Sequence, residues 1–148
     1  NAFLLVGFNQ WKMETKILST LSFNFSYPSS LRFLERYRKL SNTASDDQIF
    51  YFAQYLNEIS LLDSSLLKYK QSELAAAALI LSARAIKRIN AWNKEMEKCT
   101  GFKEEDLKSA IEDVKSFAYE VNPKFLQTLK YKFSKPEYFE VANIPFKF

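Results

Sequence analysis

Grouped carboxylates are the side chains of this sequence that could support acid–base or metal chemistry. The groups are Asp46/Asp47, Glu104/Glu105/Asp106 and Glu112/Asp113. Each falls at a predicted helix start or on a polar helix face, where helix capping and solvation are sufficient reasons for a carboxylate. We therefore predict no catalytic residue and no metal site at any of these groups.

Covalent catalysis would depend on Cys99, the only thiol in the sequence. The chain has no His, which removes the commonest general base and every Cys–His or Ser–His relay. Its two glycines, Gly7 and Gly101, are too far apart to form a Gly-rich loop around a nucleotide phosphate. We predict that the chain is not an enzyme and that it binds no cofactor.

The charge of the chain is mildly basic, with 21 Lys and Arg against 17 Asp and Glu. These basic residues are scattered and have acids between them, which favours an ordinary solvated surface over a nucleic-acid footprint. The longest uninterrupted apolar run, residues 74–81, is far shorter than the roughly 20 residues that span a bilayer. We therefore predict no membrane partner, and nucleic acid is the less favoured partner.

The elements that must position the grouped carboxylates, Cys99 and the basic residues are helices. Apolar residues recur at helical spacing, and no segment alternates as a strand would. A first, short helix is predicted from Met13, Ile17, Leu18 and Leu21. Five more helices are predicted, each from the apolar residues that would form its inward face. In chain order these faces are Leu31/Leu34/Tyr37/Leu40, Ile49/Phe52/Ala53/Leu56/Ile59, the run 74–81, Leu107/Ile111/Val114/Phe117/Ala118/Val121 and Phe125/Leu126/Leu129/Phe133. The sequence predicts an all-α protein: a five-helix bundle around a buried central helix at 71–88, preceded by one extra helix.

Local signals place the ends of these helices. Residues 45–48 form a capping-box pattern, in which Ser45 bonds forward and Gln48 reaches back. Asn122 and Pro123 are predicted to open the last helix. Residues 90–102 are predicted to be a connector, and the apolar tail at 138–145 is predicted to lie extended against the core.

Several stretches, in order, resemble the cyclins of the mitotic A and B type. KMETKILSTLSFNF at 12–25 is similar to the last helix and exit linker of the first cyclin box, and YPSSLRFLERY at 27–37 resembles the entry to the second box. The stronger match is YLNEISLLD at 55–63 followed by YKQSELAAAA at 69–78. WN at 92–93, TGF at 100–102, KYKF at 130–133 and VANIP at 141–145 follow in register. The resemblance covers about residues 11–146 and favours the B type.

The chain departs from the family pattern at two helix starts and at its N-terminus. The family usually has Pro in place of Gln71 and a capping Ser or Thr in place of Lys103, so we expect weaker starts there. Residues 1–10 do not resemble the family. Because the chain begins at Asn1 rather than Met, we expect it to be a piece of a longer protein.

The resemblance implies a cyclin-box fold in two parts. Residues 1–26 would be the remnant of the N-terminal box, and residues 27–148 would be the C-terminal box with its tail. It also implies the regulatory subunit of a cyclin-dependent kinase that controls mitotic progression through the cell cycle, in the nucleus and cytoplasm. Cyclins push the mobile helix of the kinase inward, and the first box does most of that work. This chain would then be mainly the second-box scaffold.

Four kinase-contact residues follow from the resemblance alone. Glu14 would pair with a first-box Lys and contact the kinase backbone, while Leu18, Phe23 and Phe25 would pack on the mobile helix. For Glu14 a solvated helix charge, and for Leu18 core packing, remain open alternatives. Without the first box, the apolar surface around Leu18 would be exposed, so we expect the fragment to self-associate.

Two other classes of function remain open at this point. The same two-box fold resembles transcription factors that bind DNA, and the basic charge keeps that alternative. A structural helical domain that binds neither kinase nor DNA is the third reading.

Overall fold

The chain folds into seven α-helices across the residues that the computed structural model describes, namely 2–87, 89–121, 124 and 126–145, with the backbone alone given for residues 2–9. The helices are α1 (Ala2–Thr20), α2 (Ser30–Leu40), α3 (Asp47–Ser60), α4 (Gln71–Lys87), α5 (Lys94–Thr100), α6 (Lys108–Glu120) and α7 (Gln127–Phe133). Short 3₁₀ segments occur at Ser64–Lys68, Glu104–Leu107, Pro136–Tyr138 and Val141–Asn143. No strand occurs in these ranges, and the all-α prediction is confirmed.

Helix α4 is the centre of the bundle. Every side chain from residue 74 to residue 83 is buried, and α2, α3 and α6 all pack against this helix. The four alanines at 75–78 let these neighbours approach closely, because a methyl group adds little to the distance between two helix axes. The buried Ser82 hydroxyl donates to the Ala78 carbonyl at 2.7 Å, so this hydroxyl is paired within the helix. The predicted buried central helix is confirmed.

The surrounding helices bury most of the faces that the apolar pattern predicts. Leu34 and Tyr37 of α2 are buried, as are Ile111 and Val114 of α6. Leu31 is exposed, at 36%. It lies in the first turn of α2, at the edge of an open groove, and not over the core.

Helix α5 lies inside the segment predicted to be a connector, and that prediction was wrong for residues 94–100. Asn93 caps the helix by accepting from the Met96 amide at 2.9 Å, and Gly101 ends it with φ +77°, a conformation that Gly adopts without strain. The Met96 side chain is fully buried. Trp92, just before the cap, packs edge-on against Tyr37 and donates from Nε1 to the Phe102 carbonyl at 3.0 Å.

The start of α3 is capped by Asp46, not by the predicted Ser45. Asp46 Oδ1 accepts from the Ile49 amide at 3.1 Å, three residues along the helix. Ser45 lies one residue before the cap position and is exposed. An Asp at the cap position also places negative charge near the positive end of the helix dipole, which a Ser does not.

At the two helix starts that lack the residue usual in the family, a carboxylate three residues along accepts from the backbone amide of the cap residue. At the start of α4, the Glu73 carboxylate accepts from the Lys70 amide at 2.7 Å. At the 3₁₀ segment before α6, the Asp106 carboxylate accepts from the Lys103 amide at 2.8 Å. Each bond is the backward half of a capping box, so both starts keep one satisfied backbone donor.

The C-terminal tail is compact, whereas the sequence predicts an extended chain. Residues Phe139 and Glu140 adopt φ near +55°, which turns the chain back so that the Glu140 amide donates to the Lys135 carbonyl at 3.2 Å. The Tyr138 and Phe139 rings pack on Tyr51, with centroids 5.4 and 5.9 Å away. The predicted cap at Asn122 and Pro123 and the inward side chain of Phe125 lie outside the described residues.

Candidate protein-binding surface

The chain reverses direction where α1 ends. The Phe23 amide donates to the Leu18 carbonyl at 2.9 Å, and the Ser22 amide donates to the Ser19 carbonyl at 3.0 Å. This pair of bonds is a Schellman motif, which satisfies the last carbonyls of a helix. Ser22 and Phe23 both take positive φ, at 48° and 54°, where Gly is the usual residue. The motif fixes the direction in which the next residues leave the helix.

The linker after α1 carries alternating aromatic residues. Phe23 is 68% exposed, Phe25 is 56% exposed and Tyr27 is 71% exposed. The Asn24 side chain accepts from the Ser26 amide at 3.2 Å and shapes the turn between them. Pro28 then favours an extended residue before it. Three large rings in five residues therefore face outward from a defined backbone.

The C-terminal half of α1 presents apolar side chains to the surface as well. Met13 and Ile17 of α1, and Leu21 in the turn that follows it, are spaced four residues apart and about half exposed, and Leu18 beside them is half-buried. Soluble proteins seldom expose apolar residues contiguously unless a partner covers them. We call α1 from residue 11 onward, together with the linker to residue 27, the α1–linker surface.

The four predicted contact residues all lie on the α1–linker surface. Glu14 is exposed and lies one helical turn before the half-buried Leu18, so the two share a face of α1. Phe23 and Phe25 follow on the linker. The arrangement places all four where a partner could reach them, and their role as kinase contacts stays a prediction.

Trp11, Ile17, Leu21 and Tyr27 belong to the same surface but were not predicted as contacts. Trp11 is 73% exposed. The alternation of aromatics at 23, 25 and 27 was a readable signal for Tyr27, because alternate residues of an extended segment share a side. Nothing in the sequence distinguished Ile17 and Leu21 from core residues, since exposed and buried apolar stripes have the same period.

Several of the grouped carboxylates make structural contacts. Glu104 pairs with Arg84 and accepts from Nδ2 of the Asn90 side chain at 3.0 Å. Asp113 accepts from the Tyr69 hydroxyl at 2.8 Å and lies 2.7 Å from Lys68 Nζ. The hydrogen bond from Lys68 and, to a smaller extent, the one from Tyr69 hold the pKa of the Asp113 carboxyl below its usual value. No cluster of potential metal ligands occurs among the described residues.

Seven basic side chains, spread along the chain from Arg32 to Lys135, pair with acids. The ion pairs are Arg32–Glu35, Arg38–Asp47, Lys68–Asp113, Arg84–Glu104, Lys87–Asp46, Lys132–Glu58 and Lys135–Glu137. A basic group beside a carboxylate attracts a phosphate less than an isolated one. The arrangement therefore does not favour nucleic-acid binding. In the described part of the chain, no helix is both long and apolar enough to cross a membrane.

Fold and surface together define the class: an all-α bundle with a central apolar helix and an accessible apolar α1–linker surface. The comparisons with known proteins give the family. The family model for the cyclin C-terminal domain matches residues 28–147. The chain belongs to this family.

The relatives are mitotic cyclins. The chain is 29% identical to the G2/mitotic-specific cyclin-A of Hydra viridissima and 30% identical to the G2/mitotic-specific cyclin-B of Dictyostelium discoideum, in each case over 90% of this chain. These matches cover 32% and 30% of the relatives. The G2/mitotic-specific cyclin-B of Emericella nidulans is 42% identical over 64% of this chain and 19% of its own length. The chain thus spans about a third of the length of the first two relatives.

Proposed function

We propose that this chain is the second-box part of a mitotic cyclin, the regulatory subunit of a cyclin-dependent kinase that controls progression through the cell cycle. It would act by binding and not by catalysis, in the nucleus and cytoplasm. The observation that carries the proposal is membership of the cyclin C-terminal domain family, together with an α1–linker surface that no described element covers.

The α1–linker surface would supply the kinase contact. Phe23 and Phe25 leave more than half of each ring in water, and burying a ring of this size stabilises a complex by about 1.5–3 kcal/mol. The Schellman motif fixes the backbone at Phe23, and the bond from the Ser26 amide to the Asn24 side chain shapes the turn that carries Phe25, so less conformational entropy is lost on association. Exposed aromatics that are already ordered are typical of residues that dominate a protein interface.

The bundle itself would be the scaffold behind this surface. The buried α4 and its neighbours form a core that does not depend on α1, whose described side chains are exposed or half-buried. The rest of the first box, which the cyclin family uses for most of its kinase contact, would lie upstream. The same exposed surface would let copies of this fragment associate with one another.

Calorimetric titration with a cyclin-dependent kinase catalytic subunit tests the proposal. Binding by the chain should weaken at least tenfold in a Phe23→Ala/Phe25→Ala variant. A Leu67→Ala/Tyr131→Ala variant, which removes equally exposed apolar groups from other elements, should bind as the original does.

A longer chain that restores the upstream box separates the two parts of the proposal. If only the longer chain binds, the second box is a scaffold that contributes little contact of its own. If neither chain binds any kinase catalytic subunit, the cyclin function is contradicted.

A further inference from the structure

The tyrosines of the chain differ in how open they are to a modifying enzyme. Three are exposed: Tyr27 at 71%, Tyr119 at 52% and Tyr131 at 73%. The other five are buried or half-buried. Tyr119 lies within α6 and Tyr131 within α7, whereas Tyr27 lies on the linker between α1 and α2. Tyr27 is therefore the exposed tyrosine that lies outside a helix.

The chain around Tyr27 can be drawn out at little cost. Every residue from 19 to 29 is exposed. The Tyr27 amide donates to the Phe25 carbonyl at 2.8 Å, and the Ser26 amide donates to the Asn24 side chain at 3.2 Å. Both bonds close short turns at the surface, so opening them uncovers no core residue. To extend the chain at Tyr119 or Tyr131, an enzyme would instead have to break several consecutive hydrogen bonds of a helix.

Pro28 and the local charge favour the same residue. Proline disfavours the helical conformation for the residue before it, so Tyr27 is kept out of α2, which begins at Ser30. No Asp or Glu occurs from residue 15 to residue 34. A nucleoside triphosphate brought to the Tyr27 hydroxyl therefore meets no carboxylate on the flanking chain, which would repel it.

We propose that Tyr27 is a phosphorylation site for a protein-tyrosine kinase, an enzyme distinct from the cyclin-dependent kinase of the proposed function. The tyrosine Oη forms a bond to the γ-phosphorus of ATP, and the bond from that phosphorus to the oxygen bridging the β- and γ-phosphates breaks. ADP leaves, and the phenolic proton passes to the general base of the enzyme.

The phosphate would act on the α1–linker surface. Tyr27 is the last residue of this surface, two positions after Phe25. A phosphotyrosine carries a charge of about −1.5 to −2 at pH 7. Such a charge opposes an apolar contact, because it must be desolvated when the surface is covered. Phosphorylation of Tyr27 should therefore weaken the kinase contact. This consequence rests on the proposed function, whereas the assignment of the site does not.

The test treats the folded 148-residue chain with ATP, Mg²⁺ and the catalytic domain of a broad-specificity protein-tyrosine kinase. Mass spectrometry of the digested products gives the initial rate at each tyrosine. Synthetic peptides of residues 22–32, 115–123 and 127–135 correct for the sequence preference of the enzyme. In the folded chain, Tyr27 should react within roughly threefold of its own peptide, whereas Tyr119 and Tyr131 should be slowed about tenfold or more relative to theirs.

Tyr27→Phe is the matched variant, since it removes only the hydroxyl from an exposed ring. It should lower the total phosphate incorporated by the folded chain about fivefold or more, because the helical tyrosines are the ones that remain exposed. Tyr131→Phe makes the same change at an equally exposed tyrosine in a helix and should leave the incorporation unchanged.

Equal slowing of Tyr27 and of the two helical tyrosines would overturn the assignment, and so would full incorporation into Tyr27→Phe. Calorimetric titration with a cyclin-dependent kinase catalytic subunit tests the consequence, and the chain phosphorylated at Tyr27 should bind roughly tenfold more weakly than the unmodified chain. Equal affinities would contradict the regulatory role. Absence of binding by the unmodified chain would count against the proposed function instead, and the rates at the three tyrosines would still decide the site.

Discussion

Asp46 connects the start of α3 to the end of α4. Its Oδ1 accepts from the Ile49 amide, and its Oδ2 lies 2.5 Å from Lys87 Nζ. Burial alone would raise the pKa of this carboxyl, but the hydrogen bonds from Lys87 and from the Ile49 amide outweigh burial and lower it. One side chain thus caps a helix and joins two elements.

Replacing Asp46 tests which residue caps α3. Asp46→Ala should lower the free energy of unfolding by about 1–2 kcal/mol, because the cap and the contact with Lys87 are both lost. Ser45→Ala should change it by less than about 0.5 kcal/mol, as expected for an exposed side chain outside the cap. Urea denaturation measures both; equal losses in the two variants would contradict the assignment.

The depressed pKa values of Asp46 and Asp113 predict how stability depends on acidity. A carboxyl with a lower pKa in the folded chain contributes stability above its unfolded value of 3.8, and this contribution is lost as pH falls through the folded pKa. The free energy of unfolding should therefore fall with pH below about 4. An Asp46→Asn/Asp113→Asn variant should be less stable at pH 6 and should lose less between pH 6 and pH 3. Denaturation curves at both pH values check this, and parallel losses would contradict it.

At the scale of elements, α5 shows how a short helix can be fixed by its ends and one anchor. It has seven residues, a cap at each end and a single buried side chain, Met96. Met96→Ala should lower the free energy of unfolding by about 2–4 kcal/mol through the cavity it leaves. Lys98→Ala, an exposed change on the same helix, should stay within about 0.5 kcal/mol. Thermal and urea unfolding of both variants test this. Similar, small losses of stability in the two variants would contradict the anchoring role of Met96.

The long helices could be predicted from the sequence because their apolar residues recur over three or more turns. The α3 pattern was sufficient for this reason, and α4 could be predicted from its uninterrupted apolar run at 74–81, which indicates a helix packed on all sides. Helix α5 could not be found in the same way, since seven residues with one buried side chain have no measurable period. The compact tail was missed because two consecutive non-Gly residues, Phe139 and Glu140, adopt positive φ, which sequence gives no reason to expect.

The α1–linker surface was predicted in part. Its linker aromatics could be recognised because a Pro-terminated segment with three rings has no helix face on which to bury them. The outward position of Ile17 and Leu21 could not be predicted, because whether an amphipathic face is covered depends on what packs against it in three dimensions.

At the scale of the whole molecule, the exposed α1–linker surface predicts self-association. In sedimentation equilibrium the average mass should rise with concentration above the 17.3 kDa of one chain. Ile17→Glu/Leu21→Glu should reduce this association, because two charges would then lie in the apolar contact. Leu67→Glu/Tyr131→Glu, with equal charge placed elsewhere, should leave it unchanged. A strict monomer at all concentrations would contradict the expectation.

We expect a cyclin-dependent kinase to contact this chain at the α1–linker surface. Hydrogen–deuterium exchange with and without saturating kinase catalytic subunit tests it most directly, because burial of this surface should slow exchange of its backbone amides. We expect added protection in residues 11–27 and unchanged exchange in α6, on which the proposed contact does not depend. Protection confined to α6 or to another part of the bundle, with residues 11–27 unaffected, would contradict the claim.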